Sequence, residues 1–324
     1  MSQKNRNALV TLAIGDDYVA DFMKHAEPTW AKYCTRHGYD AILLTDLIDK
    51  DCDFSKKSIH WQKLLVGILP QLQDYDRVVW IDGDILINHR MAPSIVDEVS
   101  GDKIGVIDAS PEFHYGDDVY NLHARFLILN YLMKIRMGGA KPGGVDKVTI
   151  TDGNLAAYYK FLGFEKEVTR FINTGVFVFS PKQHGAFLAG IYQKYDQDYM
   201  DFENTPLSYE FQANDAVQYI DGRFNHVWRS VAVKHYPFLF NRDRVDNYDE
   251  MLRLCANVTF RNSYFMHFAG GAGNPVIKDA FSMIDSEAAS AAQLAFPDEW
   301  ESLEDLVEFE RLDGLDKTGR GIMF

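Results

Sequence analysis

Val78-Val79-Trp80-Ile81-Asp82-Gly83-Asp84 is a wholly apolar run that ends in two carboxylates. An apolar run this short, bounded by charge, reads as a buried strand of an α/β sheet. Ligands of open α/β sheets bind beyond the carboxyl ends of the strands, which is where Asp82 and Asp84 fall. Residues i and i+2 share a face only while the chain is extended, and Gly83 allows a bend that aims both carboxylates at one centre. Hard oxygen donors with room for water suit Mn²⁺ or Mg²⁺ bridging phosphates.

Working outward, Asn7 to Ile14 reads as a first buried strand ending in Gly-Asp-Asp. Phe22 to His37 reads as a helix stopped by Gly38, and Ala41 to Leu44 as a second strand. Leu64, Leu65, Ile68, Leu69 and Leu72 recur at helical intervals between His60 and Leu72, with Pro70 as a kink. Further strands are expected at Ile104 to Ile107, Phe171 to Ser180 and Tyr264 to Ala269. This alternation argues for one α/β domain with a mainly parallel, Rossmann-like sheet flanked by helices. Met137 to Asn154 gathers Gly and Pro without apolar periodicity and reads as a loop over a site or a plain surface connection. Beyond Lys278 the chain turns acidic and helical. The expected division is therefore a main domain over 1–278 and an acidic helical extension over 279–324 packed on it.

Composition narrows the function. The chain has 324 residues and a net charge of −14, so it has no extended positive surface to replace counterions along a nucleic acid or an anionic membrane. Three cysteines at no metal spacing predict free thiols and a cytoplasmic setting. No apolar run reaches the length of a membrane span, so no transmembrane segment is expected.

Five segments, in order, resemble the metal-dependent retaining glycosyltransferases of the GT-A fold, in particular the glycogenin-like branch. They are Val10-Thr11-Leu12 with Asp17 and Tyr18, Asp82-Gly83-Asp84, Asn173-Thr174-Gly175-Val176-Phe177, Pro237-Phe238-Leu239-Phe240-Asn241, and His267-Phe268-Ala269-Gly270. The resemblance implies a nucleotide diphosphate sugar donor, UDP-linked, and a glycan or other hydroxyl acceptor. It implies Asp82, Asp84 and His267 as ligands of Mn²⁺ or Mg²⁺, and donor contacts from Thr11, Leu12, Tyr18, Asp82, Gly83, Gly175 and Gly270, with Tyr18 stacked on the base. Lys63 resembles the family's diphosphate-binding cation. Glu210 to Asp215 resembles an Asp-Gln segment beside the donor sugar, with Ala216 in the usual Gln position, which leaves the role open among Glu210, Gln212, Asn214 and Asp215. The candidate catalytic residues are Asp215, Asn173 and Asp108, with Gln212 as a substrate contact. Gly270 to Gly273 can offer backbone N–H groups to phosphate, with Gly273 where the family places a Lys and Lys278 as a possible substitute.

Two other classes share parts of this pattern. A haloacid-dehalogenase-like phosphatase also ends an apolar strand in Asp-x-Asp, using the first Asp as nucleophile, but this chain continues with Ile85-Leu86 and lacks the late Gly-Asp-x-x-x-Asp pair. A non-catalytic sugar-nucleotide or glycan-binding module would keep the nucleotide strand and lose a metal ligand.

Overall fold

Two sheets meet at the end of one strand in the computed structural model, which describes residues 6–110, 159–160, 162–199, 201–270 and 274–287. The larger sheet has the order β2-β1-β3-β6-β5-β7, formed by β1 (Asn7–Leu12), β2 (Tyr39–Leu44), β3 (Arg77–Ile81), β5 (Ile104–Asp108), β6 (Ile172–Phe179) and β7 (Val217–Tyr219). All run parallel except β6, which is antiparallel to both β3 and β5. The smaller sheet, β4-β9-β8, joins β4 (Ile85–Ile87), β9 (Phe265–His267) and β8 (His226–Val227). The chain leaves β3 at Ile81, passes through Asp82-Gly83-Asp84, and enters β4 of the second sheet at Ile85.

Side-chain alternation explains why the larger sheet is buried on both faces. Ala8, Val10, Val78, Trp80, Phe177 and Phe179 pack with Trp61, Leu64, Leu188, Leu207 and Phe211 on one side. Leu9, Val79, Ile81, Val176 and Val178 face the smaller sheet and the helices behind it on the other. Each fully buried aliphatic or aromatic side chain contributes about 1.5–3 kcal/mol. The helices are α1 (Asp16–Asp21), α2 (Glu27–His37), α3 (Pro181–Lys194), α4 (Asn204–Ala213), α5 (Trp228–His235), α6 (Tyr248–Arg261) and α7 (Pro275–Ser282). In α2, Trp30, Tyr33 and Cys34 are buried at the i, i+3, i+4 spacing of an amphipathic stripe. The same helix seals the open edge of β4: Trp30 Nε1 donates to the Ile85 carbonyl at 2.8 Å, and Thr29 Oγ1 accepts from the Ile87 N–H at 3.1 Å.

Two expectations change. The strand at 264–269 belongs to the smaller sheet, because its neighbours are β4 and β8. The segment from His60 to Leu72 is 3₁₀ helix over Ile59–Ile68 and again over Pro70–Leu72, broken at Leu69, whose extended conformation is the one a following proline imposes. The boundary at 278 falls inside α7, whose Ile277 and Ala280 are buried in the main core. The Gly-rich stretch 137–154 and the acidic segment from 288 onward lie outside the described residues. Cys34, Cys52 and Cys255 are free thiols, and no helix among the described residues is long and apolar enough to cross a membrane.

Candidate active site

Asp82, Asp84 and His267 come together where the two sheets meet, each offering one ligand atom, all within 4.8 Å of one another. Asp82 follows the last residue of β3, and its N–H donates to the Gly175 carbonyl of β6 at 2.8 Å. Asp84 immediately precedes β4, which pairs antiparallel with β9 so that Ile85 lies opposite His267. The Phe268 N–H then donates to the Asp84 carbonyl at 3.0 Å, and His267 Nε2 lies 3.2 Å from Asp84 Oδ1.

A chain of amides sets the His267 ring. Asn173 Oδ1 accepts from the Gly175 N–H at 2.9 Å and from Asn225 Nδ2 at 2.9 Å. This fixes the Asn225 amide, whose Oδ1 lies 2.8 Å from His267 Nδ1 and so accepts its proton. With Nδ1 committed to Asn225, Nε2 is the ring nitrogen turned toward Asp84, where it would ligate a metal once its proton is lost. Burial alone would lower the His267 pKa. The Asp84 carboxylate outweighs it and raises the value, and the imidazole in turn holds Asp84 below its usual range against burial.

Two glycines make room for this arrangement. A Cβ on Gly175 would stand 2.4 Å from His267 Cε1, so any side chain there would push the imidazole away. A Cβ on Gly83 would meet the Tyr18 hydroxyl at 3.0 Å. Gly83 lies in the turn between β3 and β4 that brings both carboxylates to one centre, and its missing Cβ also leaves space for Tyr18.

Lys63 sits on the 3₁₀ helix Ile59–Ile68 with only 2% of its side chain exposed. Its Nζ lies 3.0 Å from Asp82 Oδ1 and 2.7 Å from Glu203 Oε1, and donates to the Thr174 carbonyl at 3.3 Å. Burial would discharge this amine, but Asp82 and Glu203 more than offset that and raise its pKa. The ammonium is thus committed to two carboxylates and orients Asp82, whose Oδ1 also accepts from Trp80 Nε1 at 2.8 Å. The cluster holds three carboxylates, Asp82, Asp84 and Glu203, against one ammonium and one imidazole. That excess of negative charge, with hard oxygen donors and an oriented imidazole, fits a divalent cation of the Mn²⁺ or Mg²⁺ type.

A cleft of about 230 Å³ opens over these residues, lined by Leu12, Ile14, Tyr18, Ile59, His60 and Lys63 above Trp80 to Asp84. Leu12 and Tyr18 are therefore placed beside the carboxylates. Thr11 is buried behind them, its hydroxyl making no hydrogen bond among the described residues. Asp108, at the end of β5, pairs with Arg170 at 3.2 Å and accepts from the Ser110 N–H. With Asn225 it lines a neighbouring cleft of about 350 Å³. Gly270 follows β9 with φ 77°, and Gly271 to Gly273 lie outside the described residues. Lys278 is exposed on α7.

The segment 210–215 does not reach this site. Asp215 is 96% exposed, pairs with Lys103, and stands at the start of β5, a strand length from Asp108. Gln212 binds Arg170 and Ser208, while Glu210 binds Lys194, Tyr195 and Asn214. The physical reason is that α4 enters at the site and points away from it, so its carboxyl end is carried to the opposite edge of the sheet. The acid–amide pair that the helix does bring in is at its start. Glu203 binds Lys63 and Thr174, and Asn204 Oδ1 accepts from the Thr174 N–H at 2.8 Å. Pro237 to Phe240 likewise forms a 3₁₀ turn with Phe238 and Phe240 partly exposed, and the Phe-Asn pair that reaches His267 is Phe224-Asn225. Glu203, Asn204 and Asn225 were missed, although acid–amide and aromatic–Asn neighbours were the signals sought elsewhere.

No protein-family model matches the chain, and no curated protein matches it in sequence. Solved structures similar to it include a glycosyltransferase involved in the glycosylation of the major capsid of PBCV-1, at 12% identity and a TM-score of 0.45, covering 85% of this chain and 98% of that one. The WbbM bifunctional glycosyltransferase in its apo form is 13% identical with a TM-score of 0.49, covering 91% of this chain and 52% of that one. The galactosyltransferase LgtC, in complex with donor and acceptor sugar analogs, is 16% identical with a TM-score of 0.41, covering 89% of this chain and 99% of that one. Each of the three is a glycosyltransferase.

Proposed function

We propose that this chain is a metal-dependent hexosyltransferase that moves a sugar from a nucleotide diphosphate donor, UDP-linked, to a hydroxyl of a glycan or other acceptor with retention of configuration. The observation that carries the reading is the meeting of Asp82, Asp84 and His267 at the junction of two sheets, beside a cleft with an aromatic wall. Asp82, Asp84 and His267 would hold Mn²⁺ or Mg²⁺, which when bound supplies Lewis-acid stabilisation of the charge on the leaving diphosphate. Leu12, Ile14 and Tyr18 form an apolar and aromatic wall suited to a pyrimidine face. Lys63 orients Asp82, and Asn225 holds the His267 ring with Nε2 turned toward Asp84. Glu203 and Asn204 hold Lys63 and Thr174 beneath the site, and Asn173 holds Asn225 beside it. With retention, a leaving phosphate oxygen takes the acceptor's proton on the same face, so no strong base of this chain is needed.

The phosphatase alternative is not favoured, because the third member of the cluster is an imidazole rather than a further carboxylate pair. The two readings separate in one experiment. Incubation with UDP-glucose, UDP-galactose and UDP-N-acetylglucosamine plus Mn²⁺ is expected to release UDP from at least one donor. Release of nitrophenol from p-nitrophenyl phosphate with Mg²⁺, lost in Asp82→Asn, with every sugar nucleotide inert, would overturn the transferase.

A further inference from the structure

Phe202 is the one large apolar residue among the described residues held at positive φ, 61°, and it is 45% exposed. A bulky side chain in the left-handed region is strained, and Gly or Asn would fit the same backbone without that cost. The strain is held from both sides. Glu203 is tied to Lys63 and Thr174, Asp201 Oδ1 accepts from the Thr205 N–H and hydroxyl, and the Phe202 N–H and carbonyl pair with the Tyr199 carbonyl and N–H. The phenyl gives little back through burial. Instead its ring lies against the His60 imidazole, with centroids 4.5 Å apart and planes 32° from parallel. His60 and Ile59 line the metal cleft together with Lys63, Trp80, Asp82 and Asp84.

We propose that Phe202, stacked on His60, is an aromatic platform at the mouth of the metal cleft that receives a pyranose ring of the acceptor. This deepens the transferase reading and rests on it. A pyranose presents a face of C–H groups that packs on an aromatic ring, while its hydroxyls, at the ring's edge, remain free to bond the polar rim and to point into the cleft. Chain geometry places the platform one residue from Glu203, which joins Lys63 and Asp82 in the floor of the site. An acceptor ring lying on Phe202 would therefore have its hydroxyl edge beside the cleft that holds the donor. The backbone holds the ring at the surface between Asp201 and Glu203, both tied by their side chains to the protein.

The test uses saturation-transfer NMR on the full chain with methyl β-D-galactopyranoside and methyl β-D-glucopyranoside, with and without UDP and Mg²⁺. Phe202→Asn keeps a residue suited to the left-handed backbone and removes the ring, and Phe202→Trp keeps an aromatic face. The expected result is saturation of ring-face C–H protons of at least one pyranoside, reduced at least fivefold in Phe202→Asn and retained in Phe202→Trp. A higher denaturant midpoint in Phe202→Asn than in the wild type would accompany it, since relief of strain is what a purely structural aromatic would not give. Equal saturation in wild type and Phe202→Asn, or none with either pyranoside, overturns the platform. Calorimetry of UDP with Mg²⁺, run in parallel, judges the transferase reading separately, since failure to bind UDP counts against the donor site whatever the pyranosides do.

Discussion

At the scale of single residues, the site depends on how few ways its atoms can be arranged. Asp84→Ala or His267→Ala is expected to reduce Mn²⁺-dependent donor turnover to near background while the far-ultraviolet circular dichroism stays native, and full turnover in EDTA would refute the metal assignment. Asn225→Ala leaves all three ligands present but frees the His267 ring, so Mn²⁺ affinity should fall about 10–100-fold, read by calorimetric titration. An unchanged affinity would remove Asn225 from the orienting chain. The carboxylate pair was legible because an apolar strand ending in Asp-x-Asp has few other uses, and His267 was reached through the resemblance of its own segment. Asn225, Glu203 and Asn204 were not, since amide orientation and a buried ion pair arise only when distant segments fold together. Lys63 was found by position, yet its role changes: a lysine enclosed by two carboxylates orients them and offers little charge to a diphosphate.

At the scale of elements, β1, β3, β5 and β6 were readable from continuous apolar runs, and α2 from its stripe and its stop at Gly38. The smaller sheet was not, because β4 and β8 have three and two residues and no periodicity to detect. The entry to α4 carries a pH prediction. Asp201 is half-buried, its Oδ2 is shielded and without a hydrogen-bond partner, and burial pushes its carboxyl up to about 6. A carboxyl raised above its ordinary value keeps a proton that the unfolded chain has already lost, so this group's contribution to stability falls as pH rises from about 4 through 6. Asp201→Asn removes that loss while retaining an oxygen for Thr205. The variant should therefore exceed the wild type by about 1–2 kcal/mol at pH 8, less than the full shift would represent because part of the residue reaches solvent, with most of the gap gone at pH 4. Urea denaturation at the two pH values checks this, and an identical gap at both would show that burial of the charge is not the cause.

At the scale of the whole molecule, the candidate cation ligands Asp82, Asp84 and His267 come from the ends of both sheets, so an ion bound there would join them. Binding to the folded state alone adds about 2.7 kcal/mol at a hundredfold excess over Kd, which should raise the thermal midpoint by several degrees in Mn²⁺ relative to EDTA. A net charge of −14 attracts cations without any site, so the control is Asp84→Ala, in which the shift should disappear. An equal rise in that variant would assign the effect to general screening. The fold class followed from the alternation of strands and helices, while α7 runs through position 278 with its apolar face in the core.

The pairing of β4 with β9 also has a consequence for how the protein comes into being. Asp82 and Asp84 leave the ribosome with more than half the chain between them and His267. Until that last strand docks, the two carboxylates face one another without the imidazole, and closing so long a loop is a late and entropically costly step. Acquisition of tight Mn²⁺ binding during refolding would therefore mark completion of the smaller sheet, and a growing chain would carry the two carboxylates long before the imidazole could join them.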